Sequence, residues 1–195
     1  RKGVILGALD IKGVEAHAGG AYMAGHSAVK ELAHKILKLY SFNDYDREIY
    51  YNVAPISGGR PNGIVAGDAH MEFCVAGLPD NGSSFAEAES NEDPVCETTV
   101  SHRILFPALE KNEMGHKAFQ IAEKAGQLLG ITMEEIAEPT ATDANWFYSF
   151  GVPAVDAFGP VESGMHTTEE KVYIPTITEK TALFAAMLGI MKEEQ

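Results

Sequence analysis

Histidine, carboxylate and serine spacings are where this chain could do chemistry. His17 stands between two alanines in the stretch EAHAGG, with two glycines behind it, and neighbours this small leave the role of the ring open. Glu31 with His34, and again Glu113 with His116, repeat the E-x-x-H spacing that di-iron bundles use to hold metal from one helix face. Such a site also needs a glutamate from each of two further helices. The texture of this chain is α/β, and Gly115 weakens the helix that would carry the second pair, so that reading is set aside. Ser27 in GHSAV begins like a nucleophile elbow, but Val29 occupies the place of the closing glycine, and a helix cap is the better role. The glycine-rich ISGGRPNG at 56–63 lacks G-K-[ST] and opens no helix, which makes it a turn between antiparallel strands. Arg60 and Asn62 at its tip suit a carboxylate or an amide. His166 lies in the loop SGMHTTEEKVY behind a short apolar run. Sites in α/β sheets gather at the carboxyl ends of strands, and a neutral imidazole there is a natural zinc ligand, although a loop histidine taken alone is ordinarily a surface residue. Asp143, in PTATDANWF, is placed to cap the helix that follows.

These residues need elements to hold them. Residues 4–16 space Asp10, Lys12 and Glu15 among apolar positions, which predicts a half-buried strand. In 27–40, Val29, Leu32, Ala33, Ile36, Leu37 and Tyr40 follow the period of an amphipathic helix, with Ser27 as N-cap. Strands are expected at 47–56, 64–77 and 96–106, with a short helix at 83–91. The order β-α-β-β-α-β over 3–108 is the split βαβ, ferredoxin-like arrangement, one antiparallel sheet with two helices on one face. From 109 to 195 the texture becomes α/β: helices at 113–129, 142–150 and 177–192, and a short buried strand at 152–158. So few strands make a poor sheet, and this half is expected to be part of a larger α/β domain.

Composition bounds the rest. A net charge of −13 repels nucleic acid and anionic membranes, so neither is an expected partner. No apolar run is long enough to span a bilayer. Cys74 and Cys96 have no CxxC spacing and are read as free thiols, which points to a cytoplasmic setting. The chain opens on Arg1, directly on an ordered-looking segment, as a processed or truncated chain would.

Taken in order, LDIKGVEAHAGG, the serine-capped helix, ISGGRPNGIVAG and TATDANWFYSFGVPAVDAFGPVESGMHTTEEKVY resemble the M20 family of zinc peptidases, over nearly the whole chain. That family includes glutamate carboxypeptidases, aminoacylases and N-acyl amino-acid deacylases. The resemblance implies that 3–108 is a ferredoxin-like lid or dimerisation domain and 109–195 the second half of an α/β catalytic domain. It implies amide hydrolysis of a small peptide or N-acyl amino acid, with two zinc ions polarising the carbonyl and a glutamate as general base. His17 matches the lid histidine that stabilises the tetrahedral oxyanion, often across a homodimer; its small neighbours keep the ring accessible. Asn62 matches an asparagine that holds substrate, His166 the last zinc ligand, and Thr142, Asp143 and Ala144 a segment lining the pocket.

The departures are as informative. The family's H-x-D, bridging aspartate, E-E pair and one further acidic ligand all precede the lid and have no counterpart here. The lid arginine that grips the substrate carboxylate is replaced by Cys74 or Val75, and Thr140 and Ala141 stand where two glycines are usual. The segment around 83–96 is shorter than the family's second lid helix and its following loop. The chain alone is therefore expected to be inactive. The alternative is a non-catalytic lid module that only dimerises.

Overall fold

A computed structural model describes residues 1–78 and 85–193. The chain divides into two compact units, one of Arg1–Leu109 with Glu138–Asn145, the other of Glu110–Ala137 with Trp146–Gln195. The inclusion of 138–145 in the first unit was not visible in the sequence.

The first unit is built on strands β1 (Gly3–Lys12), β2 (Tyr50–Gly58), β3 (Asp68–Leu78) and β4 (Glu97–Phe106). They lie in the order β2-β3-β1-β4, every neighbouring pair antiparallel. With α1 (Ala28–Tyr40) after β1 and α2 (Ala86–Glu89) after β3, this is the ferredoxin-like βαββαβ order. The alternation of each strand explains why one sheet face is covered. Ile5, Leu9 and Ile11 of β1 and Ala69, Met71, Phe73 and Val75 of β3 are buried, while Asp10, Lys12 and Glu72 point to solvent. Leu32 and Leu39 of α1 join that core, with Phe85 and Ala88 from the segment before β4. Each fully buried large side chain contributes about 1.5–3 kcal/mol. Gly7 on β1 is dictated by this packing: a Cβ there would lie 2.1 Å from Phe73 Cζ.

Helix α1 starts as expected, with Ser27 Oγ accepting from the Lys30 N–H at 3.2 Å. Its buried face does not follow the expected apolar stripe. The buried residues are Ala28, Glu31, Leu32, Lys35 and Leu39, and Val29, Leu37 and Tyr40 are exposed. The reason is an ion pair inside the core edge: Glu31 Oε1 and Lys35 Nζ are 3.3 Å apart, and each also bonds the backbone of 90–93. The helix expected over 83–91 is the four-residue α2; residues 83 and 84 lie outside the described residues.

In the second unit, α3 (Glu113–Leu129) begins with Asn112 Oδ1 accepting from the Met114 and Gly115 N–H groups and ends at Gly130 in the left-handed conformation. It packs on α5 (Pro175–Glu193) through Ala122, Ala125, Leu183 and Met187. The short α4 (Ala144–Ser149) and a two-residue hairpin of β5 (Glu162–Ser163) and β6 (Lys171–Val172) complete the elements. The strand expected at 152–158 is absent: among the described residues nothing offers it a ladder, and Val155 and Phe158 pack as irregular chain against the α3–α5 core. α5 is apolar around most of its circumference, leaving Ile177, Phe184, Leu188 and Met191 exposed.

Candidate functional site

Past Lys12 the chain leaves the sheet but continues as an extended segment that carries His17. Gly13 N–H donates to Gly67 O at 2.8 Å, Val65 N–H to Ala16 O at 2.8 Å and Ala18 N–H to Gly63 O at 2.7 Å. On its other side Val14 and His26 exchange both backbone bonds, at 2.8 and 2.9 Å. The segment is thus clamped between 25–26 and 63–67. Two glycines make the clamp possible: a Cβ on Gly13 would lie 2.1 Å from His26 O, and one on Gly67 2.5 Å from Glu15 Cγ.

His17 itself is exposed, and its Nδ1 accepts from the Gly19 and Gly20 N–H groups, at 3.1 and 3.0 Å. A nitrogen that accepts carries no proton, so the neutral ring holds its proton on Nε2. The HAGG turn therefore fixes one tautomer and leaves an Nε2–H donor on the outside.

The turn that follows β2 lies alongside. Asn62 adopts φ +74° and Gly59 and Gly63 φ +72°, left-handed conformations that asparagine and glycine accept most readily. Arg60 Nε meets Glu15 Oε1 at 3.2 Å, both side chains being exposed. Between this turn, the start of α1 and Tyr22 runs an open groove of about 690 Å³ lined by Ala18, Tyr22, Val29, Lys30, Arg60 and Ile64 among others.

Thr142 and Asp143 belong to the first unit. Their turn is held by Asn145, which the sequence reading did not single out. Asn145 is fully buried; its Oδ1 accepts from the Thr142 N–H at 3.0 Å and its Nδ2 donates to Pro107 O at 2.7 Å and Lys2 O at 3.3 Å. A buried amide with this many backbone partners ties the 142–145 turn to the sheet ends. Asp143 is exposed beside it.

His166, in the second unit, occupies the β5–β6 hairpin loop with φ +63°, an unfavourable conformation for a residue with a Cβ. Its N–H donates to Glu170 Oε2 at 3.2 Å, and Thr167 Oγ1 donates to Gly164 O at 2.6 Å. The loop is built around the strained residue and leaves the imidazole exposed. Among the described residues no three His, Cys, Asp or Glu side chains cluster as a metal site requires.

Two further groups escaped sequence reasoning. His26 Nδ1 donates to the Asp93 carboxylate at 2.9 Å to Oδ2 and 3.0 Å to Oδ1. That hydrogen bond, with one from the Val95 N–H, holds the Asp93 carboxyl below the usual carboxylate range.

With the geometry in place, comparison with known proteins is decisive for the first unit. Residues 1–91 match the M20 dimerisation family model, described as a peptidase dimerisation domain. These residues belong to the M20 peptidase dimerisation-domain family. The similarity extends beyond the dimerisation domain in the uncharacterised protein YqjE of Bacillus subtilis, 25% identical over 187 residues, 91% of this chain and 49% of that protein. Solved structures share the fold: a tripeptidase from Staphylococcus aureus (TM-score 0.81, 21% identity, 97% of this chain and 52% of that one), and the aminopeptidase PepT from Bacillus cereus (0.75, 22%, 95% and 51%). The Bacillus subtilis YxeP protein, a dinuclear metal-binding peptidase of the M20 family, is similar at 0.64 and 14%, over 98% and 51%. This chain spans about half the length of each. No helix among the described residues is long and apolar enough to cross a membrane.

Proposed function

We propose that this chain supplies the lid, 3–108, and the second catalytic-domain segment, 109–195, of an M20-type metallohydrolase. The enzyme cleaves the amide or peptide bond of a small peptide or N-acyl amino acid, and this chain alone turns nothing over. The observation that carries the reading is the double acceptance at His17 Nδ1, which leaves Nε2–H as an outward donor. A donor of that kind, aimed at the oxygen on which charge develops, is worth about 2.7–4 kcal/mol, or about 10²–10³ in kcat. Arg60 and Asn62 bind the carboxylate or amide of the substrate, and Thr142 and Asp143 line its pocket. His166 is one zinc ligand, and the rest of a two-zinc site comes from residues outside this chain. The lid pairs two copies into a homodimer, in a cytoplasmic setting.

Exposed Ile177, Phe184, Leu188 and Met191 on α5 support the reading, since a helix apolar on most sides is built for burial against more protein. The match of 1–91 to a dimerisation domain favours the rival, a module that only pairs. Metal content after dialysis, together with hydrolysis of a panel of N-acyl amino acids and dipeptides in zinc buffer, tests the assignment. We expect less than one zinc per chain and no turnover; two tightly bound zinc ions with turnover by this chain would overturn it. In the enzyme that contains this chain, His17→Ala should lower kcat about 10²–10³-fold with little change in KM. An unchanged kcat would leave the pairing module as the better reading.

A further inference from the structure

The aim of His17 depends on a segment that lies outside the four-stranded sheet, so something else must fix it. Val14, three residues before His17, is paired to His26 through both backbone bonds. His26 is in turn held through its ring by Asp93. Asp93 is not a free surface carboxylate on a loose loop. Its own N–H and that of Glu92 donate to the two carboxylate oxygens of Glu31, each at 3.1 Å, and Glu31 is 1% exposed. A continuous path of hydrogen bonds therefore runs from the buried face of α1 through Glu31, Asp93, His26 and Val14 to the histidine segment.

Little slack exists along that path. The Gly13 site leaves no room for even a methyl group against His26 O, and a Cβ on Gly25 would lie 2.9 Å from both Ala16 Cβ and Val65 Cβ. Backbone approaching this closely at the two glycines, and paired between Val14 and His26, transmits a displacement of His26 to residues 14–16 instead of absorbing it. We infer that Asp93, acting through His26, is a positioning residue for His17: it sets the register at which Nδ1 meets the Gly19 and Gly20 amides and so fixes which ring nitrogen carries the proton. The catalytic consequence rests on the oxyanion reading of His17, but the positioning itself does not.

Long-range ¹H–¹⁵N spectra of histidine-labelled protein, recorded near pH 8.5 where imidazoles are neutral, read the tautomer of each ring directly. The wild-type His17 should show one tautomer, protonated at Nε2. Asp93→Ala and His26→Ala should each move His17 to averaged shifts for both nitrogens, while exchange protection of the Leu9 and Phe73 amides stays native. Asp93→Asn, which keeps an acceptor oxygen for His26, should restore the single tautomer. A single, unshifted His17 tautomer in Asp93→Ala and His26→Ala, with the core protected, would overturn the inference. His26→Ala carries the test by itself if Asp93→Ala fails to fold. Because the readout is not activity, its failure is distinguishable from a failure of the oxyanion assignment, which only the kcat of His17→Ala addresses.

Discussion

Replacing Glu31 by glutamine probes the least expected feature of the first unit, a charged pair on the buried face of its long helix. Glu31 and Lys35 are 1% and 2% exposed. The carboxylate meets Lys35 Nζ at 3.3 Å and accepts the Glu92 and Asp93 N–H groups, while Lys35 also donates to Ser90 O. Glutamine has the same shape but one acceptor oxygen. Its NH₂ group would face a backbone N–H, leaving one buried donor unsatisfied at about 1–3 kcal/mol. Lys35 would keep its charge without a counter-ion, and losing one partner of a buried pair costs about 3–5 kcal/mol in all, the unsatisfied donor included. We expect a loss of about 3–5 kcal/mol on that ground. The hydrophobic double replacement Glu31→Leu with Lys35→Met should recover only part of it. It removes both charges but leaves two backbone N–H groups without acceptors, each costing about 1–3 kcal/mol. The single tryptophan, Trp146, lies in the second unit, so far-UV circular dichroism in urea is the proper probe of the first, together with hydrogen exchange at Glu92 and Asp93. A Glu31→Gln variant that loses under about 1 kcal/mol and keeps both amides protected would refute the reasoning, because the pair would then be energetically idle.

Phe73→Ala should cost the first unit about 3–5 kcal/mol in urea unfolding, since Phe73 is 1% exposed and packs with its ring centroid 5.1 Å from that of Phe85. The Asp93 carboxyl titrates lower when folded than when unfolded, so its contribution is complete above the unfolded value of about 3.9 and is lost as pH falls through the folded one. The stability gap between wild type and Asp93→Asn should accordingly close as the pH falls below the unfolded carboxylate value and through the folded one. Burial raises the Cys74 and Cys96 thiols, Cys96 further through the Asp93 and Glu31 carboxylates, so both should react with a thiol reagent at pH 8 more slowly than in urea-unfolded protein. His166→Gly should change stability by no more than about 1 kcal/mol, because relief of the left-handed strain offsets the added chain entropy. A large destabilisation would show that the imidazole holds the hairpin loop together instead of being presented by it.

What was legible in the sequence is what periodicity and local chemistry encode. The βαββαβ order, the Ser27 cap and helix 113–129 all come from alternation, apolar spacing and capping residues within a few positions of each other. What failed required knowledge of distant partners. The apolar stripe of α1 pointed to Val29 and Leu37 because Glu31 and Lys35 are charged. The backbone of 90–93, some sixty residues away, makes their burial tolerable, its amides satisfying Glu31 and the Ser90 carbonyl Lys35. The apolar run at 152–158 reads as a strand, but a strand exists only with a neighbour to complete its ladder, and among the described residues none is supplied. Asn145 was equally invisible, since its Lys2 and Pro107 partners are brought near by the sheet. The candidate site divides along the same line. EAHAGG advertises its histidine because the amides that meet the ring are local, carried by the very next glycines. The devices that would aim that ring, His26 and Asp93, carry no local signal, because an aspartate followed by proline in a loop looks like any turn. A histidine whose ring is not held in register would be a poor oxyanion donor, since a donor must sit about 2.7–3.1 Å from where the charge develops. Local sequence can therefore supply the amides that select the His17 tautomer, while the register at which the ring meets them has to come from the tertiary path that begins at a buried glutamate on α1.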